Sequence, residues 1–300
     1  MNRRDFFKLG TIGSAAILAG KVEANQTHDP SRFDNAYGVL VDTTVCIGCR
    51  KCEFACNDAN LPVKKDKTIF EDKSVFEQHR RPTDDAYTIV NAYPNSSNQE
   101  KPYYMKIQCM HCNEPACVSA CIVGALGKDE KGPVYYEAWK CIGCRYCMVA
   151  CPFQIPAYEY HNALDPEVRK CTFCHERVTK ENKRPACVEI CPNEALTFGT
   201  RKELLELAHS QIMKFPDKYN NHVYGENEVG GTSWMYLTAA NLQETELPKL
   251  DDNPIPETTE KIQHGVFKNF VPPLALYGLL GMAMFSFRNR GKGDPDKHEH

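Results

Sequence analysis

All sixteen cysteines of this chain fall into four groups of four, and the long stretches between the groups contain none. The groups are Cys46, Cys49, Cys52 and Cys56; Cys109, Cys112, Cys117 and Cys121; Cys141, Cys144, Cys147 and Cys151; and Cys171, Cys174, Cys187 and Cys191. The first and third share the spacing C-x2-C-x2-C-x3-C, the second widens its middle gap, and the fourth widens it further. An even cysteine count in an exported chain ordinarily reads as a disulfide framework. Thiols bunched this tightly read differently. Zinc sites use two C-x2-C pairs without a closing x3-C, whereas the C-x2-C-x2-C-x3-C run is that of two-cluster bacterial ferredoxins. Four such groups predict four 4Fe-4S clusters.

The spacing also predicts how the groups cooperate. Three closely spaced cysteines on one loop can hold three irons of a cubane, and the cysteine beyond the x3 gap leads away to the neighbouring cluster. Groups therefore work in pairs. Between the second and third, Ala125-Leu126, a turn over 128–132 and Val134-Tyr135-Tyr136 predict a hairpin. Ala195-Leu196 follows Cys191 as Ala125-Leu126 follows Cys121, and Asp42 precedes Cys46 as Glu137 precedes Cys141, after the apolar run Val39-Leu40-Val41. The outer groups thus carry two halves of the same hairpin, separated in sequence. The expected fold is α+β: two ferredoxin-like two-cluster modules, one inserted in the other, with a C-terminal transmembrane helix. Crossed ligation then joins Cys46, Cys49 and Cys52 to Cys191, and Cys171, Cys174 and Cys187 to Cys56. Inside, Cys109, Cys112 and Cys117 go with Cys151, and Cys141, Cys144 and Cys147 with Cys121.

The two ends suggest a compartment. Asn2-Arg3-Arg4-Asp5-Phe6-Phe7-Lys8, followed by an apolar stretch from Leu9 to Gly20, reads as a twin-arginine export signal. That stretch is too short to span a bilayer. Phe270 to Phe287 carries no charged residue and is just long enough for a membrane helix. Arg288, Arg290 and Lys292 follow it, so the positive-inside rule places His300 in the cytoplasm and the cysteine-bearing body on the periplasmic face of the cytoplasmic membrane. The expected organisation is a signal peptide over 1–24, outer-module parts over 36–61 and 163–200, an insertion over 62–101 and an inner module over 102–162. A helix and extended arm over 201–267, a single membrane span over 268–288 and a cytoplasmic tail over 289–300 complete it.

Other residues carry weaker signals. His111 and His175 lie beside cysteines, but four thiolates per cluster are already at hand, so packing or hydrogen bonding is their expected role. Ile47, Ile142, Phe153 and Ile155 are expected to cover clusters and exclude water. Arg50, Lys51 and Arg145 either stabilise anionic clusters or lie on the surface. Arg201 to Phe215 has helical periodicity, with Leu204, Leu205, Leu207, Ala208 and Ile212 on one broad face. The glycine- and proline-bearing stretch from Tyr224 to Gln263 reads as an extended arm. A net charge of −3 gives no field that would draw nucleic acid. The sequence has no phosphate loop, nucleophile elbow, or motif for a molybdenum, nickel or nicotinamide site. Chemistry on a substrate is therefore expected in another subunit, and this chain by itself is not read as an enzyme.

With these features assembled, the chain resembles the iron–sulfur subunits of the molybdopterin oxidoreductase family. The likeness rests on C-M-H-C-N-E-P-A-C from Cys109 and C-I-G-C-R-Y-C-M-V-A-C-P-F from Cys141. The export signal, F-G-T-R-K-E-L-L from Phe198, Y-G-E-N-E-V-G-G-T from Tyr224, L-P-K-L-D-D from Leu247 and I-Q-H-G-V-F-K from Ile262 narrow it. They are most similar to the membrane-anchored ferredoxin subunit of periplasmic nickel–iron uptake hydrogenases. The resemblance implies the same crossed ligation, and a relay between a catalytic oxidoreductase subunit and an integral membrane quinone-reactive subunit. The similar subunit of formate dehydrogenase keeps the relay and changes the catalytic partner. At Ile122 the chain departs from the family, where proline usually follows the ligand Cys121; this bears on the potential of that cluster and not on its ligation. The alternative of a different class is a disulfide-rich, membrane-tethered binding protein.

Overall fold

Side chains alternate along a strand, and in β1 (Tyr37–Asp42) both faces are apolar, so both must be covered. Val39 and Val41 face one core while Leu40, between them, faces another. The computed structural model describes residues 30–95, 101–239, 245–256 and 278–285. The chain divides into a body, His28–Pro256, and a second unit made of Met1–Thr27 and Glu257–His300. The strands of the body after β1 are β2 (Thr88–Tyr93), β3 (Tyr103–Gln108), β4 (Leu126–Lys128), β5 (Val134–Tyr136), β6 (Ala157–Tyr158), β7 (Val168–Arg169), β8 (Leu196–Thr200), β9 (Tyr219–Tyr224) and β10 (Trp234–Ala239). Its α-helices are α1 (Lys51–Asn60), α2 (Ala116–Ser119), α3 (Tyr146–Ala150), α4 (His175–Thr179), α5 (Ala186–Glu189) and α6 (Arg201–Lys214). The body is a mixed α+β, ferredoxin-like arrangement.

Its main sheet has the order β8-β1-β10-β9. β1 runs antiparallel to β8, with Val41 opposite Leu196, and parallel to β10, with Val39 opposite Trp234 and Val41 opposite Tyr236. The strands on either side of the outer cysteine groups therefore meet directly. β4 and β5 form the short hairpin between the second and third groups, and β2 pairs antiparallel with β3.

The helix α6 closes one face of the sheet. Its start is fixed by a capping box, in which Thr200 Oγ1 accepts from the Glu203 N–H and Glu203 Oε2 accepts from the Thr200 N–H. Leu204, Ala208 and Ile212, spaced one turn apart, pack on Leu40, Met235 and Leu237. Of these, the leucine, isoleucine and methionine side chains each contribute about 1.5–3 kcal/mol when fully buried. Leu207 lies off this face and is 38% exposed, so the apolar stripe is narrower than its periodicity suggests. The opposite face of the sheet, through Val39, Val41, Trp234 and Tyr236, packs on the core that contains Cys56, Cys109, Cys171 and Cys187.

Part of the expected arm is core instead. Trp234, Met235 and Tyr236 are fully buried and β10 is an interior strand of the main sheet. The glycines that suggested an extended segment form the turn into it. Val229, Gly230 and Gly231 take φ of 51°, 82° and 85°, and Glu228 Oε2 accepts from the Gly225 N–H at 2.7 Å. Beyond β10, Tyr224 donates its hydroxyl to the Pro248 carbonyl (2.7 Å), which holds the following segment against the body. The expected signal peptide and tail, and most of the expected membrane span, lie outside the described residues. Among the described residues no helix is long and apolar enough to cross a membrane; a helix is present at 278–285.

Candidate iron–sulfur centres

The first and third cysteine groups fold into the same loop. Gly48 and Gly143 take φ of 62° and 69°, and Arg50 and Arg145 take 61° and 59°. These left-handed residues turn the chain tightly enough for closely spaced thiols to converge. Both glycines are also pressed against a tyrosine. A Cβ at Gly48 would lie 2.5 Å from the Tyr104 ring, and one at Gly143 would lie 2.7 Å from the Tyr158 hydroxyl. A helix begins directly after each loop. α1 carries Cys52 and Cys56, while α3 carries Cys147 and is capped by Cys151. The wider middle gaps of the second and fourth groups are explained by short helices. Pro115 and Pro185 precede α2 and α5, which carry Cys117 and Cys187.

The fold brings these thiols together in four sets. Cys46, Cys49, Cys52 and Cys191 line one cavity, and Cys56, Cys171, Cys174 and Cys187 line a second. Cys112 lies close enough to Cys151, Cys109 and Cys117 for their charges to act on it. Cys147 lies in the same way near Cys121, Cys141 and Cys144. For Cys46, Cys117, Cys147 and Cys171 burial is the main influence on acidity, with neighbouring thiols adding to it. It pushes Cys46 and Cys147 up to about 11, and Cys117 and Cys171 up to about 12.

Donor chemistry tests what such sets can hold. Each is four soft sulfur ligands, which suit iron–sulfur clusters or zinc, and a bound metal displaces the proton that burial retains. Among the described residues no three His, Cys, Asp or Glu side chains are grouped as for a single metal ion. N–H groups already point at several sulfurs: Ala125 at Cys121 (3.2 Å), Gly143 at Cys141 (3.4 Å) and Phe173 at Cys171 (3.4 Å). Asn60 Nδ2 donates to Cys174 Sγ at 3.5 Å, and its carbonyl oxygen accepts from Thr172 Oγ1 at 2.8 Å. Hydrogen bonds to ligand sulfurs stabilise thiolates and tune cluster potentials. The sets fit 4Fe-4S clusters.

The secondary residues divide. His111 is wholly buried, its Nδ1 accepting from the Val134 N–H at 2.8 Å. His175 Nε2 meets Asp129 Oδ2 at 2.9 Å. Both imidazoles thus have structural partners. Phe153 and Ile155 are buried in the cysteine-bearing core. Ile47 and Ile142, expected to cover clusters and exclude water, are 53% and 61% exposed; Ile47 borders the first cavity. Lys51 and Arg145 are exposed, Arg145 lying over the Tyr158 and Tyr160 rings. Arg50 is buried and donates to the Ile69 and Asp72 carbonyls and to Glu53, clamping residues of the 62–101 segment over the first loop. Sequence reasoning missed Asn60 and three lysines. Lys106 and Lys170 are buried, and Lys128 donates to the His111 carbonyl at 3.1 Å from a partly buried position. No spacing marks them, because a lone lysine reads as surface.

A 4Fe-4S dicluster domain matches residues 101–201. The chain is 34% identical over 334 aligned residues to the hydrogenase-2 operon protein HybA of Escherichia coli O157:H7, covering 100% of both chains. It is 33% identical over 271 residues to the iron–sulfur subunit of the nitrate-inducible formate dehydrogenase of Escherichia coli K12, covering 87% of this chain and 88% of that one. The chain belongs to this family of 4Fe-4S dicluster iron–sulfur subunits. A protein of Nitratidesulfovibrio vulgaris is 51% identical over 249 residues, 82% of this chain and 66% of that protein's length. As a dicluster iron–sulfur subunit, the chain transfers electrons and is not itself catalytic, and its sixteen cysteines fit four clusters.

Proposed function

We propose that this chain is the relay between a catalytic oxidoreductase subunit, of the nickel–iron hydrogenase kind, and a quinone-reactive membrane subunit. The observation that carries the reading is the company of Cys56: it shares a cavity with Cys171, Cys174 and Cys187, not with Cys46, Cys49 and Cys52 of its own group. In this reading the ligand sets are Cys46, Cys49, Cys52 and Cys191; Cys56, Cys171, Cys174 and Cys187; Cys109, Cys112, Cys117 and Cys151; and Cys121, Cys141, Cys144 and Cys147. When bound, a 4Fe-4S cluster takes up and gives back one electron at a time. The chain's own residues hold four such groups in succession. α1 bridges two of them, since Cys52 and Cys56 lie one turn apart on one face. The exposed Cys144 leaves the fourth set open toward a partner.

The module boundaries follow the same reading: 36–61 with 163–200 outside, 102–162 inside, and 62–101 as a covering insertion. The twin-arginine signal and a membrane helix over 268–288 would hold the body on the periplasmic face, with the tail 289–300 in the cytoplasm. HybA's place in a hydrogenase-2 operon supports a hydrogenase partner. A second reading, supported by the formate dehydrogenase relatives, keeps the relay and exchanges the catalytic partner.

Deleting Phe270 to His300 tests the relay, because every ligand lies at or before Cys191. Artificial-dye activity should survive in membranes carrying the truncated chain while quinone-linked activity falls sharply, since tethering raises the local concentration of the relay at its membrane partner. Undiminished quinone activity would refute the anchoring role, and equal loss of both activities would mean that the deleted segment supports folding.

A further inference from the structure

Lys106, on β3, is 2% exposed, and among the described residues no carboxylate pairs with it. Its Nζ donates to Gln108 Oε1 at 2.9 Å and lies 4.1 Å from the centroid of the Trp234 ring. Gln108 Nε2 donates to the Tyr236 hydroxyl (2.8 Å), and that hydroxyl donates to the Lys106 carbonyl (2.8 Å). The ammonium is therefore held by neighbours that are themselves buried. An amide oxygen and a ring face are modest compensation for an ion withdrawn from water. It also borders sulfur. Lys106 borders the cavity of Cys46, Cys49, Cys52 and Cys191, and also that of Cys56, Cys171, Cys174 and Cys187. Among the described residues it is the one that lines both of these cavities.

We propose that Lys106 is a positive charge shared by the two outer clusters, raising the reduction potential of both together. The proposal rests on the ligand sets given above. Net charge and hydrogen bonding around a cluster help set its potential. An added electron makes an anionic centre more negative, and a fixed cation close by in a low-dielectric interior favours that reduced state. Because one ammonium faces both sites, it moves both potentials in the same direction. The difference between them, which governs passage of an electron from one to the other, is thereby left largely unchanged. Lys128, by contrast, acts on Cys112, Cys109 and Cys117 of a single inner set.

The test is an anaerobic EPR redox titration of the full chain in its complex. Cys49→Ala, Cys56→Ala, Cys112→Ala and Cys121→Ala first identify the four signals one by one, the first two belonging to the outer pair and the last two to the inner. Lys106→Met should lower the reduction equilibrium constant of both outer clusters at least tenfold, about 59 mV for a one-electron couple, and leave the inner pair in place. Lys106→Arg, which keeps the charge, should stay within about threefold of the parent protein. Unmoved outer potentials at full iron content, a shift of one outer cluster alone, or an equal shift of all four would overturn the proposal. If Lys106→Met cannot hold the outer clusters, Lys106→Arg decides. Retention of both at near-parent potentials supports the shared charge, and their loss there too would assign the effect to shape. A wrong ligand assignment shows itself separately, because Cys56→Ala would then remove the same signal as Cys49→Ala.

Discussion

Glu53 ties the helix between the first two cysteine sets to the segment that packs over it, and removing its carboxylate should loosen both. Its Oε2 accepts from Arg50 Nη2 at 2.8 Å, and its Oε1 accepts from Arg80 Nη2 at 2.7 Å and from the Val90 N–H at 2.8 Å. The Arg50 and Glu53 side chains are each 4% exposed, and Arg80 is 26% exposed. Arg80 can therefore recover hydration when its partner is lost, whereas Arg50 cannot. Removing one member of a buried ion pair costs about 3–5 kcal/mol, because the other charge stays buried and unpaired. In a body of this size each kcal/mol is about 2–4 °C in Tm, so Glu53→Ala should lower the midpoint by about 6–20 °C. Glu53→Gln keeps the shape and one acceptor, and should fall between the two. The assay is anaerobic thermal bleaching of the cluster absorbance at a fixed scan rate, since cluster loss is irreversible and the midpoint is scan-dependent. A Glu53→Ala midpoint within about 2 °C of the parent protein would refute this reasoning, because a change that small corresponds to less than about 1 kcal/mol.

The third cysteine loop should be sensitive to one methyl group. Gly143→Ala puts a Cβ against the Tyr158 hydroxyl at a positive φ, which costs about 1–2 kcal/mol for the backbone before any clash. Iron analysis and EPR should show selective loss of the cluster of Cys121, Cys141, Cys144 and Cys147. Gly124→Ala, also at positive φ but with open space around the new Cβ, should retain it; equal losses in the two variants would remove the packing argument. Replacing Arg3 and Arg4 by lysine should leave unprocessed, cluster-loaded protein in the cytoplasm, and normal export of that variant would overturn the twin-arginine reading.

The local elements were legible because their signals are local. The β4–β5 hairpin announces itself by a polar turn between apolar pairs, and α6 by its period and its Thr200–Glu203 cap. The meeting of β1 with β8 was legible only through the repeated offsets of Leu126 and Leu196 from their cysteines. β10 was not, because its register with β1 joins residues far apart in sequence, Val39 with Trp234, and its glycine-rich approach looks like a linker. The same limit hides the charges around the cysteine sets. Arg50 reads equally as a charge beside a cluster or as surface, and Glu53 and Lys106 carry no local signal, since burial of an ion depends on partners such as Trp234 and Arg80 that no spacing reveals. Ile47 and Ile142 differ in the opposite sense, apolar residues that are largely exposed, although Ile47 borders the first cavity.

The crossed four-cluster arrangement is tested most directly by comparing three single cysteine variants, prepared without oxygen, for iron, sulfide and EPR signals. The parent protein should carry about sixteen irons, four for each of four clusters. Cys56→Ala should abolish or convert the same signal as Cys174→Ala, and leave intact the signal that Cys49→Ala removes. If Cys56→Ala and Cys49→Ala instead struck one and the same cluster while the Cys174 signal persisted, each group would hold its own cluster and the interlocked account would be wrong.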